Sequence, residues 1–346
     1  MSGEPETIEG TILAGPSFDP VEGRVVVEDG EIAVVEEAAT DATDVVIPAF
    51  VNAHTHIGDS IAKEAGGGLD LDELVAPPDG LKHRLLQAAS REELVGAMRR
   101  SIQFMQRAGT AAFLEFREGD VEGVERLAAA VEGLPVEPVV FGRGSIAAME
   151  AADGFGASGA RDAEFGRERT ATAEAGKLFG IHAGERDGTD VNPALDLDPD
   201  FLVHMVHAEP LHLDRVADRG VPIVVCPRSN LVTGVGLPDI DELAAHTTLA
   251  LGTDNVMLNS PSMFREMEFA AKCSDRSARE VLAMATRNGA EIAGLNCGTV
   301  EPGKDARLVV LDGDSDNLCG ARDWVRAVVR RAGVSDVRRT VLRRRD

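Results

Sequence analysis

Apolar positions along the chain fall into three stretches with different periods. Residues 5–48 alternate polar and apolar over short spans, in EGTILAG, GRVVVEDGEIAVVEE and DVVIPAF, and this period of two predicts strands. Asp29-Gly30 lies between two such runs and predicts a hairpin turn. From residue 49 onward compact apolar runs alternate with helical periodicity. Strands are expected at 47–53, 110–116, 136–142, 153–157, 177–182, 200–205, 221–226 and 248–253. Between them, segments such as SREELVGAMRRSIQFMQRAG, VEGVERLAAAVEG and SAREVLAMATRNGAEIAG carry the spacing of amphipathic helices. Strand–helix alternation argues for a parallel sheet, and eight such units in roughly 250 residues match a (β/α)8 TIM barrel. After Pro302-Gly303-Lys304 the pattern reads as strands again, in DARLVVLDG, WVRAVVRRAGV and DVRRTVLRR. The expected organisation is therefore an α/β barrel over 49–302. It interrupts a small β-sandwich domain built from residues 1–48 and 303–346.

Composition narrows the setting. The 346 residues are 44% hydrophobic, enough for a sizeable core, and the net charge is −24. Only five lysines occur, Lys63, Lys82, Lys177, Lys272 and Lys304. An acid-rich, lysine-poor chain suggests a halophilic cytoplasmic protein, with an ordinary acidic enzyme as the alternative. Its field repels polyanions, which argues against nucleic-acid partners. Cys226, Cys273, Cys297 and Cys319 show no CxxC spacing and are expected to be reduced thiols. The opening MSGEPETIEG lacks the apolar core of a signal peptide, and no apolar run has the length of a membrane helix. The expected partner is a small-molecule substrate, with no membrane contact. Association into a homo-oligomer is left open.

The candidate chemistry sits where the apolar runs end. His54 and His56 close the first barrel strand, and residues two apart on a strand face the same way. His182 in FGIHAGE, His204 in FLVHMVH and Asp254 in LALGTDN end the fifth, sixth and eighth strands. In a parallel barrel these ends share one mouth, where catalytic residues collect. Imidazoles and a carboxylate converging there suit one divalent ion, Zn2+ foremost and Fe2+ as the alternative, with a position left for water. Glu185, three residues after His182, is placed to reach that water without ligating the ion. Arg117, Arg143 and Arg228 lie near the ends of strands two, three and seven. They are placed either to clamp a carboxylate or phosphate of the substrate or to pair with the abundant acids. Phe116 and Phe155 are expected in the core. The Gly-rich stretch 65–80 is expected to form a long, mobile loop over the site, and the basic tail RRTVLRRRD a solvated face.

Taken together, PAFVNAHTHIGDS, IHAGE, VHMVHAEPLHL, VCPRSNLVTGVG, LGTDN and VEPGKDARLVVLD resemble, in order, the motifs of the amidohydrolase superfamily. The resemblance is to the branch of cytosine deaminase, S-adenosylhomocysteine deaminase and the triazine hydrolases. It implies that His54, His56, His182 and Asp254 are metal ligands, and that Glu185 is the proton shuttle. His204 then contacts the hydrolytic water and the substrate. His204 is preferred over His207 and His212 because its spacing to Cys226 is that of the family. The implied activity is hydrolytic deamination of a nitrogen heterocycle by a metal-activated water, with Asp254 as general base. Hydrolysis of a cyclic amide or of an amino- or chloro-substituted ring is the alternative, and a metal-binding scaffold without catalysis the third reading. Two departures stand out. Ser158, in GFGASG, occupies the place where many relatives carry a substrate-binding histidine. Lys177, at the start of the fifth strand, is at the wrong end to bridge two metals, so one ion is expected.

Overall fold

The computed structural model describes residues 5–75 and 79–342. The strands are β1 (Glu6–Ala14), β2 (Asp19–Glu28), β3 (Glu31–Glu37), β4 (Val45–Pro48), β5 (Phe50–His56), β6 (Thr110–Arg117), β7 (Glu137–Gly142) and β8 (Gly154–Ala157). They continue with β9 (Leu178–Ala183), β10 (Phe201–His204), β11 (Ile223–Val225), β12 (Leu249–Leu251), β13 (Asp254–Asn255), β14 (Leu308–Leu311) and β15 (Val337–Val341). Asp29 and Gly30 join β2 to β3 with φ of 48° and 81°, the left-handed pair that a tight hairpin requires.

The apolar run VVIPAFV serves two sheets. Its first half, β4, belongs to a mixed sheet of order β15-β14-β4-β1-β2-β3, and its second half, β5, to the barrel. The N- and C-terminal strands join as expected. Their form is one continuous sheet and not two facing layers, because β4 bonds to β1 along one edge and to β14 along the other. Alternation then divides the side chains. Val46, Leu308 and Val310 pack with Ile8, Ile12 and Val25, while Val45, Ile47, Val309 and Leu311 join the core beneath the barrel helices.

Each expected barrel strand is present, in the order β12-β11-β10-β9-β8-β7-β6-β5-β13, with parallel pairing throughout. β13 continues β12 after Gly252 and Thr253 and pairs with β5, Asp254 opposite Thr55, so the two ends of the sheet meet. Gly252 makes this seam possible, since a Cβ there would lie 2.6 Å from His54 Cβ and 2.8 Å from His54 N. Asn52 stitches it: its amide donates to Thr253 Oγ1 (2.7 Å) and its carbonyl oxygen accepts from Thr253 N (3.0 Å). Phe116, Phe141 and Phe201 fill the interior, and Phe155 stacks on Phe179 outside it.

Two expectations change. WVRAVVRRAGV, read as a strand, holds an α-helix, Trp324–Arg330, with the Asp323 side chain accepting from Arg326 N at its start. Its buried Val325, Val328 and Val329 fit a helical face as well as a strand, and the cap decides. The stretch 65–80 contains a helical turn, Leu71–Val75, and leads into the helix Leu81–Ala88. Residues 76–78 of that stretch and 343–346 of the basic tail lie outside the described residues.

Candidate metal-dependent active site

β5 delivers His54 and His56, β9 His182, β10 His204 and β13 Asp254, all to one end of the barrel and all buried. Their polar atoms cluster tightly. His54 Nε2 and His56 Nε2 lie 3.4 and 3.6 Å from Asp254 Oδ1, and His56 Nε2 lies 3.4 Å from His182 Nε2. Three overlapping sets have ligand atoms within 4.8 Å of one another: His54, His182 and His204; His54, His56 and Asp254; and Glu185, His204 and Asp254. Backbone turns aim these groups, since His204, Met205 and Asp254 take φ of 79°, 56° and 55°. Left-handed conformations at non-glycine residues cost energy and collect at functional sites.

The groups beside the outer ring nitrogens set what faces inward. His182 Nδ1 donates to the Ala157 carbonyl (2.8 Å), and His56 Nδ1 lies 2.9 Å from Glu118 Oε1. With a proton on each Nδ1, two unprotonated Nε2 atoms face each other at 3.4 Å. Such lone pairs repel unless a cation lies between them. His54 makes no well-directed hydrogen bond through either ring nitrogen, although it is fully buried. Burial lowers the pKa of His54, of His182 and of His56, the last, with Lys82 adding to it, to about 3. The rings are therefore neutral, as metal ligands must be. A divalent ion fits this donor set.

His204 differs from the other three. The Asn230 amide donates to its Nδ1 (3.0 Å), which leaves the proton on Nε2, 3.6 Å from Glu185 Oε2. Burial and the nearby Asp254 charge raise the Glu185 carboxyl, the first more than the second. Ser229 Oγ donates to Asp254 Oδ2 (2.6 Å) and the Asn255 amide to Oδ1 (3.0 Å), which fixes the carboxylate plane. His56, His182, Glu185, His204 and Asp254 border one cavity, and Ser158 and Arg143 are on its wall.

The arginines resolve toward ion pairs. Arg117 is buried on Glu115 (3.0 Å) and Glu118 (3.3 Å), and Arg228 holds Glu266 (2.6 Å) and the Ser260 carbonyl (2.7 Å). Arg143 also pairs with Glu118 (3.2 Å) while reaching the cavity. Lys177 donates to the carbonyls of Met149, Glu150 and Ala152, remote from any bridging position. His212 accepts from Glu209 N (3.1 Å) at the start of the helix Pro210–Arg219. Sequence reasoning missed Lys82, Glu115, Glu118, Ser229, Asn230 and Asn255. Ser229 and Asn230 stand within the PRSN stretch and Asn255 ends the LGTDN stretch, both already singled out, whereas Lys82, Glu115 and Glu118 had no local signal.

Comparison with known proteins now bears on the assembled site. The model of the amidohydrolase family matches residues 45–194 and 173–337. The chain is 35% identical to a protein of Methanothermobacter thermautotrophicus over 88% of its own length and 90% of that protein's. The chain belongs to the amidohydrolase family. As such it is a hydrolase of carbon–nitrogen bonds, and its buried His/Asp cluster is a metal-binding arrangement. This amidohydrolase is also 28% identical to a 5-methylthioadenosine/S-adenosylhomocysteine deaminase of Halobacterium salinarum, over 96% of this chain and 90% of the other. A solved adenosine deaminase of Xanthomonas campestris with bound zinc superposes with a TM-score of 0.77 at 20% identity, covering 97% of this chain and 91% of that one. Among the described residues, no helix is long and apolar enough to cross a membrane.

Proposed function

We propose that this amidohydrolase deaminates a nitrogen heterocycle, with one divalent ion held by His54, His56, His182 and Asp254. The observation that carries the reading is the pair of inward-facing Nε2 atoms of His56 and His182, 3.4 Å apart beside Asp254. Zn2+ is the first choice of ion, Fe2+ the second. Bound there, the ion would supply a water of pKa lowered toward neutrality and a Lewis acid at the attacked carbon. The remaining work falls to the chain. Asp254, held in plane by Ser229 and Asn255, takes the proton of the attacking water. Glu185, its carboxyl raised by burial, gives a proton to the ring nitrogen; as the tetrahedral carbon collapses it takes up the hydroxyl proton, while the proton held by Asp254 passes to the departing ammonia. His204 offers Nε2–H as a hydrogen bond to the attacking oxygen, which orients it toward the ring carbon and holds it there once that carbon is tetrahedral.

The unit that carries this chemistry is residues 49–302, with 1–48 and 303–346 forming the small domain. The substrate is a purine, pyrimidine, pterin or related ring, and the relative in Halobacterium salinarum puts purines first for trial. Neither nucleic acid nor membrane is a partner. The acidic, lysine-poor composition is read as adaptation to a salty cytoplasm.

An ammonia-release assay over purines, pyrimidines, pterins and triazines tests the reading. Release from at least one compound, abolished by a chelator and restored by zinc, is expected. A zinc-loaded enzyme that releases none, yet opens a cyclic amide or displaces chloride, would overturn deamination.

A further inference from the structure

One side chain connects parts of the site that the chain brings in from far apart. Lys82 is buried, 2% exposed, and arrives on the helix Leu81–Ala88, in the long segment between β5 and β6. Its Nζ donates to Glu118 Oε1 (2.6 Å) and to Asn255 Oδ1 (3.1 Å). Both acceptors touch a group assigned above to the ion. Glu118 Oε1 lies 2.9 Å from His56 Nδ1, and the Asn255 amide donates to Asp254 Oδ1 (3.0 Å). One ammonium thus braces β5 and β13, the strands that form the barrel seam. Arg117 and Arg143 also reach Glu118, but no contact joins either to Asn255 among the described residues.

The chemistry of this position is demanding. A buried lysine needs acceptors for its donors, and a buried ion pair on its own adds little stability. In a chain with five lysines, one is spent here. Carboxylates behind a ligating imidazole fix its tautomer and orientation, and losing such a partner weakens metal binding by roughly 10–100-fold. Lys82 stands one step further out, holding that carboxylate and the amide beside Asp254 at once.

We propose, building on the metal reading above, that Lys82 is a positioning residue that sets the geometry of His56 and Asp254 through Glu118 and Asn255. It also ties the order of the helix Leu81–Ala88 to occupancy of the site. Coupling between two sites is reciprocal, so the ion steadies this helix as much as the helix steadies the ion.

The test needs no substrate. Zinc affinity of the full chain is measured by competition with a chromophoric chelator, for the parent, Lys82→Met and Lys82→Arg. Amide exchange of residues 81–88 is followed with and without zinc. Lys82→Met should bind zinc about 10-fold or more weakly, from the scale of lost outer partners. Lys82→Arg, which keeps the charge, should fall between it and the parent. Zinc should slow exchange across 81–88 in the parent and not in Lys82→Met. Parent affinity together with parent-like protection in Lys82→Met would overturn the proposal alone. Should Lys82→Met fail to fold, Lys82→Arg decides: zinc binding weaker than the parent's supports the relay, and parent affinity with parent-like protection overturns it. A parent that takes up no zinc or iron would overturn the metal reading itself, and this inference with it.

Discussion

Two regions of the barrel mouth treat buried polarity in opposite ways. At its centre, where side chains from β5, β9 and β13 meet, His54 lacks well-directed partners and the Nε2 atoms of His56 and His182 face each other. On the side built around β6 and β7, Glu115, Arg117, Glu118, Arg143 and Lys82 are joined in ion pairs of 2.6–3.3 Å. Unpaired buried polar atoms cost stability and are rare, so the first region is arranged for a group that the polypeptide does not supply. The second region is complete in itself and acts as its support. Proximity of charged residues alone would not have separated the two; counting partners does.

The sharpest way to break this comparison is to remove one of the proposed metal ligands from the unpaired region. His182→Asn should lose the ion and the activity together, as elemental analysis beside an activity assay would show. Retention of both would mean that the inward-facing nitrogens have another purpose. Next in size, Glu185→Gln keeps the shape of the side chain but cannot carry the proton, so turnover should fall by roughly 10²-fold or more. Metal content should stay near that of the parent. If the ion leaves as well, Glu185 belongs among the ligands.

The paired region is probed through pH. Burial, with Glu118 adding to it and Arg117 opposing, raises the Glu115 carboxyl to about 7. Its protonated form is favoured in the fold, so its contribution is fully present below the ordinary carboxylate pKa and is lost as pH rises toward 7. Glu115→Gln cannot ionise. The thermal midpoint of the variant minus that of the parent should therefore climb between pH 4.5 and 7 and level off above. A flat difference would mean that Arg117 keeps Glu115 ionised throughout. The smallest effect concerns salt. With a net charge of −24, self-repulsion on the surface is screened by added salt, and the midpoint should rise from low to molar salt. Zinc affinity, set among buried groups, should move far less. A falling midpoint would remove the high-salt interpretation.

Much of the unpaired region was legible in the sequence, for a simple physical reason. His54, His56, His182, His204 and Asp254 each end an apolar run, and parallel barrel topology sends all such ends to one mouth. The paired region was not legible. Lys82 and Asn255 are 173 positions apart, and nothing in LKHRLL marks the lysine as buried. Arg117 and Arg228 left two roles open from sequence, and their buried carboxylate partners chose between them. In the fold, the eight runs were readable from hydrophobicity, while the kink at Gly252 and Thr253 that creates β13 depends on the approach of His54. WVRAVVRRAGV has a pattern compatible with both periods, and only the cap from Asp323 settles it.

The place of β4 has a consequence for how the molecule comes together during synthesis. Val46 pairs on one side with Ile12, which emerges from the ribosome before it, and on the other with Val310, which emerges only after the whole barrel. Until then one edge of β4 is open, while the eight barrel strands are already available to fold around their own core. The final strands therefore work as a clasp. They fasten the entrance of the barrel to its exit, and in doing so anchor the strand from which His54 and His56 project.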